Sequence, residues 1–227
     1  MKITWIGQAG LLFDNGNAKI LVDPYLSDSV KKIVPNNYRR IPIKEDLFDI
    51  EPDVIIFTHD HLDHYDPETA PFFLGGNRKP ATVLCPFSVW QKARTNGGAH
   101  NYVLFSPKSE WTELGFRFKG ISADHSERCG IGVIIEDLNE DKTYYITGDT
   151  LYNSGIFEEL PAKIDIVFLP INGVGNNMNA TDAVRFFKAC GAAAAAPYHI
   201  GMFDNHTHEL FEDDNKIILK IYEEISV

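Results

Sequence analysis

Short apolar or alternating runs recur along the chain with turn residues between them. Ile3 to Ile6, Leu11 to Asp14 and Ala18 to Val22 read as strands, with Asn15-Gly16-Asn17 as the hairpin turn between the second and third. Val54 to Thr58 is apolar enough for a buried strand. The Asp66-Pro67-Glu68 that follows predicts a helix start, Asp66 capping and Pro67 at the first helical position. Further strands are expected at Ala81 to Cys85, Tyr102 to Phe105, Phe116 to Ile121, Gly132 to Glu136, Thr143 to Thr147, Ile164 to Leu169 and Ala192 to Ala196. The last run could be helical on propensity, but Gly191 before it and Pro197 after it leave too little length, so a small-residue strand is predicted. Helices are expected over Pro86 to Thr95, over Thr181 to Cys190 with Asn179 or Thr181 as cap, and over most of His208 to Glu224. Strands and helices mixed in this way imply two packed sheets, or one large sheet covered by helices.

At 227 residues the chain can bury a sizeable core, and no linker, repeat or low-complexity tract divides it, so a single domain over 1–227 is expected. Cys85, Cys129 and Cys190 are odd in number and far apart, which suits thiols in a reducing compartment better than a disulfide framework. Met1-Lys2-Ile3-Thr4-Trp5 has no signal-peptide pattern and no apolar run is long enough to cross a bilayer, so a cytoplasmic location without a membrane partner is expected. The net charge of −11, from 32 acidic against 21 basic residues without a long basic stripe, disfavours an extended nucleic-acid surface. A small anionic substrate stays open, because bound cations reverse the local potential whatever the net charge.

The candidate chemistry sits where Val54-Ile55-Ile56-Phe57 ends and Thr58-His59-Asp60-His61-Leu62-Asp63-His64 begins. Imidazole nitrogen and carboxylate oxygen are the ligands a borderline divalent cation prefers, and a strand breaking into a turn can aim several of them at one point. Other predicted strands deliver similar residues at their ends: His125 after Phe116 to Ile121, Asp149 after Tyr144 to Thr147, and His199 after Ala192 to Ala196. Strand ends on one rim converge in space and are rigid enough to hold metal geometry. His59, His61, Asp63, His64, His125, Asp149 and His199 are therefore the candidate metal ligands.

The run His59, His61, Asp63, His64 resembles the His-X-His-X-Asp-His signature of the metallo-β-lactamase superfamily. Ala123-Asp124-His125-Ser126, Tyr145-Ile146-Thr147-Gly148-Asp149-Thr150 and Ala196-Pro197-Tyr198-His199 look like its later motifs, in the family order. Ile20-Leu21-Val22-Asp23-Pro24-Tyr25 and Leu169-Pro170-Ile171-Asn172-Gly173 look most like the branch of small metal-dependent hydrolases related to L-ascorbate-6-phosphate lactonase. The resemblance implies an α/β fold, a four-layer αββα sandwich of two mixed sheets flanked by helices. It also implies two divalent metal ions, Zn first with Mn or Fe as alternatives: His59, His61 and His125 on one, Asp63, His64 and His199 on the other, Asp149 bridging. A hydroxide shared by two such cations hydrolyses a small ester, lactone or phosphoester, with Asp63 the candidate for passing a proton to the leaving group. Alternatives are a metal-dependent sensor or scaffold without turnover, a phosphodiesterase acting on nucleotides, and redox chemistry at a di-iron centre, which usually comes with acidic ligand substitutions and a flavin-binding partner domain, neither of which is evident.

Other residues keep two readings each. Asp60 either orients an imidazole or caps the loop, and Asp23 either supports the site or closes a turn. Cys129 is a soft ligand or a small packed side chain. Asn172 and Asn176 contact substrate or belong to an ordinary strand-to-helix loop. His206 faces substrate or, with His208, caps and solvates the next helix start. His100 reads as an exposed loop residue without a role, and Gly7-Gln8-Ala9-Gly10 as a plain hairpin turn.

Overall fold

The computed structural model describes residues 1–203 and 207–227, in two compact units. The first unit holds Met1–Leu104 and Lys220–Val227 with a short stretch beginning at Gly201; the second holds Phe105–Ile200 and the stretch ending at Leu219. Each unit carries one mixed sheet with helices beside it in the chain.

In the first unit β1 (Lys2–Gly7), β2 (Gly10–Asp14) and β3 (Lys19–Val22) form an antiparallel meander, and β4 (Val54–Ile56), β5 (Thr82–Cys85) and β6 (Asn101–Leu104) continue parallel from β3. The Asn15-Gly16-Asn17 turn forms as expected, with Asn15 Oδ1 accepting from Asn17 N and Ala18 N. A last strand, Glu224–Ser226, adds to the free side of β1, and Tyr222 N donates to Trp5 O just before it. Helices α1 (Ser29–Ile33), α2 (Thr69–Leu74) and α3 (Phe87–Ala93) occupy the connections. The helix starts at Thr69 with Glu68 at its N-cap, later than the expected start at Pro67, and Asp66 accepts from Glu68 N (3.1 Å) and Thr69 N (3.2 Å) in the turn before it. Ile55, Phe57, Phe73, Leu74, Val83 and Val89 lie together in one apolar cluster. The central strands β4 and β5 are buried on both faces, which is why their sequences are continuous rather than alternating.

In the second unit β7 (Glu110–Glu113), β8 (Phe116–Ser122), β9 (Ile131–Asp137) and β10 (Lys142–Ile146) are antiparallel neighbours, and β11 (Ile164–Pro170) and β12 (Ala192–Tyr198) extend the sheet in parallel. The alanine run is a strand, as its flanking Gly191 and Pro197 suggested. Helix α4 (Ala180–Cys190) starts on Asn179, whose side chain accepts from Asp182 N, and ends at Gly191 in the left-handed conformation.

The expected helix over His208 to Glu224 does not form. A single 3-10 turn, His208–Leu210, stands there, and Lys216 Nζ donates to the carbonyls of His208 (3.1 Å) and Phe211 (2.7 Å). Asp213 Oδ1 takes the Asn215 N–H (3.0 Å), a local turn that competes with helix. Ala195 N donates to Asn215 O, and Ile217 N to Ala195 O, so the segment covers an edge of β12 instead. Edge pairing of this kind outweighs the modest helix propensity of the segment. Among the described residues no helix is long and apolar enough to cross a membrane.

Candidate metal centre

Strand direction explains where the candidate ligands fall within each unit. In the first sheet β1, β3 and β4 run the same way, so Gln8, Asp23 and the turn that opens at His59 all leave the same rim. In the second sheet β8, β10, β11 and β12 run the same way, and their ends lead to His125, Asp149, Asn172 and His199. The carboxyl ends of such strands are where α/β sheets place ligands.

The first unit gathers His59, His61, Asp63 and His64. Three of them are buried, with His61 half-buried. His59 Nδ1 donates to Thr58 Oγ1 (3.1 Å), which turns its Nε2 toward His61 Nδ1 at 3.1 Å. Two nitrogens each about 2.0–2.1 Å from one tetrahedral ion stand roughly 3.3 Å apart, so this pair already has ligand spacing. His64 Nδ1 donates to Asp23 Oδ2 (2.8 Å), and its Nε2 lies 3.9 Å from Asp63 Oδ2. Asp23 is fully buried, takes the Thr58 N–H (2.8 Å) and hydroxyl (2.5 Å) as well, and thus supports the site rather than merely closing a turn. Gln8 Nε2 donates to Asp63 Oδ2 (3.2 Å).

The second unit gathers His125, Asp149 and His199. Gly148, at φ 63°, turns the chain after β10 in a conformation that a side chain disfavours, and the turn presents Asp149. His199 Nε2 lies 3.1 Å from Asp149 Oδ1, and His125 Nε2 lies 4.0 Å from Asp149 Oδ2. Three consecutive-loop asparagines frame the group. Asn172 meets His199 Nδ1 at 2.6 Å, the Asn176 carbonyl accepts from His125 Nδ1 (3.2 Å), and Asn177 Nδ2 donates to Asp149 Oδ2 (2.8 Å).

The donor chemistry fits divalent cations. His59, His64 and His125 each commit Nδ1 to an oxygen acceptor, which fixes the tautomer that leaves Nε2 as the ligand atom. Eight non-glycine residues have positive φ among those described, and Gln8, Asp23, Asn176 and His199 are four of them. Backbone held in that region is costly and persists where surrounding structure imposes it.

The remaining candidates separate cleanly. Asp60 Oδ2 pairs with Lys92 Nζ at 2.7 Å, and among the described residues it meets no imidazole. Cys129 is half-buried in the turn after His125, its N–H on Glu127 Oε1 (3.1 Å). Cys85 and Cys190 are buried thiols, Cys85 pushed up to about 12 and Cys190 raised, both by burial. His100 is not an exposed bystander: its Nδ1 accepts from Ala81 N (3.1 Å), and burial lowers its pKa. His208 is lowered by burial too. His206 lies outside the described residues. Sequence reading missed Gln8, Thr58 and Asn177 as members of these clusters; a polar residue beside a motif carries no signal of its own until the turn is built.

Known proteins point the same way. A UPF0173 metal-dependent hydrolase of Carboxydothermus hydrogenoformans is 29% identical over 212 residues, covering 88% of this chain and 84% of that protein. The crystal structure of isothiocyanate hydrolase from Delia radicum gut bacteria superposes with a TM-score of 0.76 at 22% identity, covering 100% of this chain and 99% of that one. The metallo-beta-lactamase fold protein YhfI from Bacillus subtilis gives a TM-score of 0.71 at 18% identity, with 97% of each chain covered. The two mixed sheets with their helices are thus those of the metallo-β-lactamase fold. A match to the Beta-lactamase superfamily domain runs over residues 2–199, nearly the whole chain, and on that extent this protein belongs to the β-lactamase superfamily.

Proposed function

We propose that this chain is a metal-dependent hydrolase, working as one domain across 1–227 on a small-molecule ester, lactone or phosphoester. In this reading His59, His61 and His125 hold one divalent cation, Asp63, His64 and His199 hold a second, and Asp149 bridges. Relatives named as UPF0173 metal-dependent hydrolases, from Carboxydothermus hydrogenoformans and Bacillus cereus, support the metal-dependent class.

The observation that carries the reading is the prior orientation of the ligand atoms. His64 is locked by Asp23, His59 by Thr58, His125 by the Asn176 carbonyl and Asp149 by Asn177, each at hydrogen-bond distance. A fold spends backbone strain and buried polar groups on such an arrangement only where the presented atoms are used. When bound, the cations would supply an ionised water at neutral pH and charge stabilisation at the reacting centre. Asp63 then has the role of carrying a proton toward the leaving group, and Gln8 holds the carboxylate by Oδ2 while it does so. Asp23 takes the Nδ1 proton of His64, the tautomer that presents Nε2 as a ligand atom.

The test is metal analysis of protein purified without chelator, combined with turnover of a panel of lactones, aryl phosphodiesters and thioesters. Two equivalents of Zn, Mn or Fe and chelator-sensitive hydrolysis of a panel member are expected. Bound metal without any turnover would favour a sensor, and turnover indifferent to chelator would end the proposal.

A further inference from the structure

Gln8 sits in what the sequence presents as an ordinary hairpin turn between β1 and β2. It is nevertheless 3% exposed, and its backbone is left-handed at φ 52°, a conformation that glycine and asparagine adopt far more readily than glutamine. The turn is clamped on both sides: Trp5 Nε1 donates to Gln8 O (2.8 Å), and Arg39 Nη2 donates to Ile6 O (2.7 Å). Gly7, at φ 98°, has no room for a Cβ because the Arg39 guanidinium fills that space.

The side chain explains why glutamine is there. Its Nε2 donates to Asp63 Oδ2 at 3.2 Å and to the soft acceptor Met202 Sδ at 3.7 Å. Both N–H groups are therefore used, and turning the amide over would set Oε1 against a carboxylate oxygen. Oε1 is buried and has no hydrogen-bond partner among the described residues. An apolar side chain would fill the turn without that buried acceptor, so a glutamine kept for packing alone is a poor explanation.

We infer that Gln8 is a positioning residue for Asp63: by pinning one carboxylate oxygen it fixes the plane in which Asp63 meets its cation. The inference rests on the proposed metal-dependent reading, which gives Asp63 a ligand's role. An aspartate on a turn has two nearly equivalent oxygens and a soft terminal torsion. A ligand must present one of them in one direction, and neighbours that impose this are typically worth 10–100-fold in metal affinity.

The experiment is Zn²⁺ titration in competition with a chromophoric chelator, run on the wild type and on Gln8→Leu, Gln8→Asn and Met202→Leu. Leucine removes the amide and leaves an apolar side chain one atom shorter; asparagine suits the left-handed backbone but is too short to reach Asp63. Both Gln8 variants are expected to bind one equivalent as the wild type does and the other roughly 10–100-fold more weakly, while Met202→Leu titrates like the wild type. Thermal midpoints of the chelator-treated proteins should agree between wild type and Gln8→Asn. Wild-type titration of both Gln8 variants would overturn the inference. A fall in the chelated Gln8→Asn midpoint that accounts for the weaker binding would also overturn it, by making Gln8 a folding residue. If the wild type itself takes up no Zn²⁺, the metal-dependent reading has failed, a pattern distinct from either.

Discussion

The two clusters of candidate ligands are built by different means. In the first unit four candidates come from one turn of six residues, and their supports are a carboxylate, a hydroxyl and one carboxamide: Asp23, Thr58 and Gln8. In the second unit three candidates come from three strand ends spread over seventy-five positions of sequence. Their supports are two carboxamides and a carbonyl, all from the loop that links β11 to α4. The contrast teaches that a contiguous motif can rely on anchors at the strand ends of its own sheet, whereas a dispersed one needs a loop to gather it.

The largest effect should come from removing a ligand of either kind. Asp149→Ala and His61→Ala are each expected to lower turnover by about 10³-fold, the equivalent of several kcal/mol of lost charge stabilisation. Metal content measured on the same preparations should fall with activity. Turnover equal to that of the wild type in either variant would remove that residue from the proposed centre and its cluster from the comparison.

Next in size are the supports. Asp23→Asn should weaken metal binding by roughly 10–100-fold, with activity recovering in excess metal, since His64 stays in place but loses its charged acceptor. Asn177→Ala should act on the second cluster in the same way and at the lower end of that range, because a neutral donor to a carboxylate is replaced by solvent more readily than a buried carboxylate is. If the order is reversed, loop-borne support is the stronger device.

These supports mark the limit of what was legible in the sequence. The run from His59 to His64 stands out because ligand-type residues crowd one turn, and the strand pattern places His125, Asp149 and His199 at strand ends. Asp23 was visible only as an even choice between turn and support. Asn172 and Asn176 were visible as loop residues with substrate contact in view; in the structure the Asn172 side chain meets His199 and the Asn176 carbonyl meets His125. Asn177 was invisible, since a buried amide and a solvated one look alike in a polar loop. Among the elements, β7 (Glu110–Glu113) escaped notice because a four-residue edge strand with a glutamate at each end lacks an apolar run, and the 208–224 segment misled because its sheet-edge partner is remote in sequence.

The smallest effect concerns pH. His100 and His208 have pKa values lowered from 6.5 by burial, so the folded protein binds fewer protons at these sites than the unfolded chain does. Their contribution to stability is present above pH 6.5 and is lost as pH falls through the lowered folded values. Thermal midpoints should therefore decline on acidification below that point, and His100→Gln should flatten the decline slightly, as calorimetry across the range would show. A midpoint that rises on acidification would contradict the burial of both imidazoles.

The loop from Asn172 to Asn179 has a bearing on how such an enzyme could diversify. Because the same few residues grip His199, His125 and Asp149, exchanging this segment to admit a new substrate would, on the proposed ligand set, loosen cation retention at the same stroke. Lineages, and engineers, would find cheaper variation in stretches that touch no ligand, such as the exposed Ile33 to Tyr38 region, where sequence can drift without disturbing the catalytic inventory.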